Sequence, residues 1–143
     1  MQRILEHPRT VMTFSDAGAH VSQIMNASLP THLLSMWVRN WRVFTLEQAV
    51  RMLTLVPSTV WGFADRGLVR EGFVADLNVI DPDTVAAHLP RVERDLPGGA
   101  ARLTQRASGF LATVVGGQVL LEDGEHTGAL PGSLVRRGYR VEP

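Results

Sequence analysis

Few side chains in this sequence have both the type and the setting for chemistry, and Asp16 comes first. It stands in Thr13-Phe14-Ser15-Asp16-Ala17-Gly18-Ala19-His20, where the apolar run Val11-Met12-Thr13-Phe14 breaks into small residues. A carboxylate at such a point can take up and return a proton or face a cation, and Ala17-Gly18-Ala19 lets backbone or a ligand approach closely. The apolar run is short enough for a strand buried on both faces, and in barrel enzymes chemistry sits at the ends of such strands. Asp16 equally fits a turn cap that accepts nearby backbone N–H groups. His20, four residues on, can face the same mouth or pack within the loop, while His7, His32, His88 and His126 have no mutual metal-ligand spacing.

The elements that must position this loop follow from periodicity. Pro30 and Thr31 introduce a helix over residues 32–39, with Leu33, Leu34, Trp37 and Val38 on one face. Thr45-Leu46-Glu47-Gln48 is a capping box, so a helix starts at Leu46; Ala49, Val50, Leu53 and Leu55 are its apolar positions and Pro57 interrupts it. A further short helix over residues 57–61 closes on Gly62. From Gly67 onward the pattern becomes extended, which places an organisational boundary near residues 65–67. Residues 76–81 read as a strand that ends at Asp81-Pro82, and residues 112–115 and 118–121 flank Gly116-Gly117 as a hairpin. Asp123-Gly124 marks another tight turn, and the tail from Gly128 to Pro143 is irregular.

Bulk properties narrow the chemistry. A chain of 143 residues can bury one core but is too short for a complete eightfold βα barrel, which takes roughly 250. The 14 basic residues balance 14 acidic ones, so charge points to neither nucleic acid nor an anionic membrane surface. All the basic residues are arginines; the absence of lysine removes Schiff-base, Walker and carbamylated-lysine chemistry, and the absence of cysteine removes thiol nucleophiles and cysteine metal sites. Residues 1–9 carry no apolar signal core and no run approaches the ~20 residues of a membrane span, so a cytoplasmic location is the expectation.

Three motifs in order resemble the C-terminal part of an amidohydrolase, in the branch of D-aminoacylases and N-acyl-D-amino-acid deacylases. The first runs from His7-Pro8-Arg9-Thr10 through Ser15-Asp16-Ala17-Gly18-Ala19-His20 to Ala27-Ser28-Leu29-Pro30-Thr31. The second is Gly67-Leu68-Val69-Arg70-Glu71-Gly72-Phe73-Val74-Ala75-Asp76-Leu77-Asn78-Val79-Ile80-Asp81. The third is Thr113-Val114-Val115-Gly116-Gly117, followed by Asp123-Gly124-Glu125 and Thr127-Gly128-Ala129-Leu130-Pro131-Gly132.

The resemblance implies a mixed α/β chain: the last strand and helices of an incomplete (β/α)8 metal-hydrolase barrel over residues 1–66, then a small β-sandwich portion over residues 67–143. It also implies hydrolysis of a C–N bond in a small-molecule amide with zinc or another divalent metal. Asp16 matches the acid at the end of the eighth barrel strand, which binds metal and takes a proton from metal-bound water; His20 is then either a contact to the substrate or to the metal's surroundings, or a histidine that packs within the loop.

Departures from the pattern matter as much. The chain has no His-x-His pair and no candidate for the middle histidine ligands, so the metal centre is not expected to assemble from it alone. Residues 21–29 lack the arginine with which D-aminoacylases hold the substrate carboxylate, Asn26 stands where relatives often have an acid, and Gly116 stands where Asn commonly forms the turn. Substrate identity and stereochemistry stay open. Met1 is then an internal residue or the start of a shortened chain, and the isolated chain is expected to be inactive with no metal stably bound. The competing reading is a catalytically silent structural module that associates with itself or another chain through the unpaired edges of a strand such as residues 11–14.

Overall fold

The structure, a computed structural model, describes residues 1–13 and 15–135. A single helical turn, α1 (Gln2–Leu5), opens the chain. The next helix, α2 (Leu29–His32), carries Pro30 in its first turn, where the missing N–H leaves no bond unmade, and runs directly into a π-helix, Leu33–Asn40. The sequence pattern predicts an ordinary helix over residues 32–39; the wider π turn closes instead with the Trp41 N–H donating to the Met36 carbonyl, five residues back, at 2.8 Å. Leu33 and Leu34 still turn inward and are buried. From the end of this helix the Arg39 guanidinium donates to the carbonyls of Val85 at 2.7 Å and Pro82 at 3.2 Å, pinning the helical layer to the strand-rich half.

The capping box forms as its spacing predicts. Thr45 Oγ1 accepts from the Gln48 N–H at 3.2 Å, and Gln48 Oε1 accepts from the Thr45 N–H at 2.8 Å. The helix it starts, α3 (Leu46–Leu53), ends at Thr54 and α4 (Leu55–Trp61) begins at once, with Gly62 as its C-terminal cap. Pro57 therefore does not interrupt the first helix; it sits in the first turn of the second, where a backbone N–H would have no intrahelical partner, so the one it lacks costs no bond.

Eight short strands follow: β1 (Leu77–Ile80), β2 (Ala86–Ala87), β3 (Arg91–Glu93), β4 (Arg102–Thr104), β5 (Ala107–Ser108), β6 (Phe110–Val115), β7 (Gln118–Glu122) and β8 (Glu125–His126). An antiparallel sheet has the order β1-β6-β7-β8, and β2-β5 and β3-β4 form two-stranded ribbons. The hairpin is at Gly116-Gly117, whose φ angles of 55° and 82° match the right-handed twist of β6 and β7 as side-chain-bearing residues rarely can. Asp76 fastens this turn: its Oδ1 accepts from the Gly116 N–H at 2.8 Å, and its other oxygen pairs with Arg66. The second tight turn, at Asp123-Gly124, joins β7 to β8. Residues 128–135 form no helix or strand; the rest of the tail, residues 136–143, lies outside the described residues.

Val11, Met12 and Thr13 form no strand, against the expectation for residues 11–14, and Phe14 lies outside the described residues. An apolar strand of a parallel sheet takes its backbone bonds from neighbours on both sides, and among the described residues no segment pairs with this one. Met12 instead packs beside the core of Leu33, Leu34, Phe44, Ala49 and Val85, which joins the helices to the start of β2. Gly109 permits the join: at φ 76° a Cβ there would lie 2.4 Å from backbone atoms of Val85.

Candidate functional site

Residues 15–27 form a chain of turns. The Asp16 carbonyl accepts from the Ala19 N–H at 2.9 Å, the Gly18 N–H donates to the Ile24 carbonyl at 3.3 Å, and the His20 carbonyl accepts from the Gln23 N–H at 2.7 Å. The side-chain cap comes from Ser15, whose Oγ accepts from the Ala17 N–H at 3.2 Å. Among the described residues the Asp16 carboxylate accepts no hydrogen bond, so the turn-cap role falls to its neighbour and leaves the acid free in solvent. His20 is also exposed and takes a left-handed φ of 50°, and no hydrogen bond joins it to Asp16 among the described residues.

Sequence reasoning noted Asn26 as a departure from the family pattern but foresaw neither its burial nor the loop's tether. Asn26 Oδ1 is buried without a partner among the described residues. The Val21 carbonyl accepts from the Leu103 N–H at 3.0 Å, which ties the loop to β4, 82 positions further along the chain (103 − 21). Asn26 carries a weak sequence signal, its departure from the residue expected from the resemblance. A backbone tether carries none.

Among the described residues no group of three or more His, Asp or Glu side chains comes together to hold a metal ion. A catalytic zinc takes three protein ligands, so Asp16 and His20 alone do not fit one. A groove of about 500 Å³ lies elsewhere, between residues 5–12 and helices α3 and α4, with Leu5, Met12, Phe44 and Leu55 among its lining. Neither Asp16 nor His20 reaches it.

The chain belongs to the amidohydrolase family, whose sequence profile matches residues 1–121. It is 34% identical over 146 aligned positions to N-acyl-D-aspartate deacylase of Alcaligenes xylosoxydans xylosoxydans, covering 99% of this chain and 27% of that protein. It is 46% identical over 55 residues to N-acyl-D-glutamate deacylase of the same organism, covering 38% of this chain and 11% of that one.

Solved structures agree. A D-aminoacylase studied for its binuclear metal centre superposes with a TM-score of 0.56 at 34% identity, over 70% of this chain and 19% of that one. N-acyl-D-glutamate deacylase from Bordetella bronchiseptica, complexed with zinc and a phosphonate mimic of the tetrahedral intermediate, gives 0.51 at 38% identity, over 67% and 19%. The chain thus spans about a quarter of the length of the first of these relatives.

Proposed function

We propose that this chain is the C-terminal part of a metal-dependent amidohydrolase that cleaves the C–N bond of a small N-acyl amino acid-like amide, with Asp16 as its proton-transfer acid. The observation that carries the reading is the free carboxylate of Asp16: the turn around it is closed by backbone bonds and by Ser15, so the acid has no structural duty among the described residues. In this reading residues 1–66 supply the last strand and the helices of a (β/α)8 barrel, and residues 67–143 supply part of a β-sandwich. Among the described residues the helices longer than one turn end by Trp61 and the strands begin after Asp76, which supports that division.

Among the described residues no group of three or more His, Asp or Glu comes together, so in this reading the divalent ion of the complete enzyme, zinc in the first instance, draws its histidine ligands from polypeptide beyond this chain. Asp16 takes up a proton as the nucleophile forms and returns it to the leaving nitrogen. His20, on the same turn, contacts the substrate.

A second reading, a silent module that associates with itself or another chain, draws support from exposure. The chain exposes 10660 Å², whereas a compact monomer of 15.7 kDa exposes about 7,300 Å². Elemental analysis and an N-acyl amino acid hydrolysis assay separate the two. The 143-residue chain alone should carry no stoichiometric zinc and hydrolyse nothing, and a polypeptide joining it to a histidine-bearing barrel portion should gain both. Zinc held tightly by the chain alone, or a joined polypeptide that binds metal and remains inert, would contradict the proposal.

A further inference from the structure

The Asp16 loop is nearly self-contained. Among the described residues, residues 16–27 make one hydrogen bond to the remainder of the chain beyond their flanks, from the Leu103 N–H to the Val21 carbonyl at 3.0 Å. Its donor lies at the centre of β4, with the register Arg91↔Thr104, Val92↔Leu103 and Glu93↔Arg102. In an antiparallel pair alternate residues turn their N–H and C=O groups away from the partner, so Leu103 offers an edge donor without taking a bond from the ribbon. The ribbon itself is braced. Arg102 donates to both carboxylate oxygens of Asp95, Nε at 2.7 Å and Nη2 at 2.6 Å, across the turn that joins β3 to β4.

We propose that the β3–β4 ribbon is the positioning element of the Asp16 loop, with the Leu103 N–H as its contact and the Asp95–Arg102 pair as its brace. The strand-rich half of the chain thereby sets where Asp16 and His20 are presented, although it contributes no reacting group. The catalytic consequence rests on the function proposed above; the structural one does not.

The test has two arms. On the 143-residue chain, amide hydrogen exchange reads the tether directly: Leu103→Pro removes the donor at an outward-facing edge position, while Leu103→Ala retains it. Exchange at Gly18 and Gln23 should quicken about tenfold in Leu103→Pro and stay within about twofold of wild type in Leu103→Ala, with the β6–β7 amides unchanged. Asp95→Ala, which leaves every backbone donor in place, should move Gly18 in the same direction.

In the polypeptide that joins this chain to a histidine-bearing barrel portion, Leu103→Pro should lower kcat by about tenfold or more with KM little changed, and Leu103→Ala should restore it. Unaltered Gly18 exchange in both Leu103→Pro and Asp95→Ala would overturn the positioning role. So would unchanged kcat in Leu103→Pro of a polypeptide whose activity depends on Asp16; loss of that dependence would instead count against the function.

Discussion

Asp16 is the residue on which the account turns, and its surroundings explain why the sequence alone left two roles open. Asp and Ser both accept backbone N–H bonds in turns, and Ser15-Asp16 offers both. Geometry divides the work: Ser15 Oγ takes the Ala17 N–H, and among the described residues no hydrogen bond reaches the Asp16 carboxylate. Asp81 shows the opposite arrangement at the mouth of the β2 segment. Its Oδ2 accepts from the Thr84 hydroxyl at 2.6 Å and its Oδ1 from the Asp83 N–H at 2.9 Å, and these bonds hold its carboxyl below the ordinary value. A depressed folded pKa contributes stability that is present above the unfolded value, roughly pH 4, and is lost as pH falls through the folded one. Denaturant titrations at pH 7 and in the acid range should therefore show a smaller acid loss in Asp81→Asn than in wild type. An equal loss would mean that the ionisation of Asp81 is not linked to folding.

At the scale of elements, most of the local structure was legible because short-range chemistry determined it. Thr45 and Gln48 cap each other three residues apart, and Gly116-Gly117 sets a two-residue turn, so both needed only their own neighbours. Thr45→Ala should cost about 1 kcal/mol of stability by thermal or urea unfolding, and no loss would show that α3 is held by packing alone. The π-helix was not legible, since its apolar pattern also suits an ordinary helix and the contact from Arg39 to Val85 joins distant residues. Gly109 is likewise explained only in three dimensions, where Val85 backbone fills the space a side chain would need. Gly109→Ala should destabilise the chain by about 3 kcal/mol, through both the positive φ and the overlap. A neutral substitution would show that β5 and β6 can move away from Val85.

The whole molecule is where sequence reasoning and structure part most clearly. Residues 11–14 carry the composition of a buried parallel strand, yet among the described residues nothing pairs with Val11, Met12 or Thr13, and such a strand needs bonding neighbours on both sides. The groove beside α3 and α4 is lined in part by Leu5, Met12, Phe44 and Leu55, and under the proposed function this apolar surface packs against more polypeptide. Light scattering of the isolated chain should accordingly show self-association that rises with concentration, and a strict monomer at high concentration would count against that surface being adhesive. The family is settled by the match over residues 1–121, while the candidate site is legible only as far as one acid and one histidine on a turn, since among the described residues no group of three or more His, Asp or Glu comes together. The central claim is the role of Asp16, and the steady-state kcat of Asp16→Ala, in a polypeptide uniting this chain with a histidine-bearing barrel portion, tests it most directly. We expect kcat to fall by about a hundredfold or more while the protein stays folded; activity equal to wild type would contradict the account.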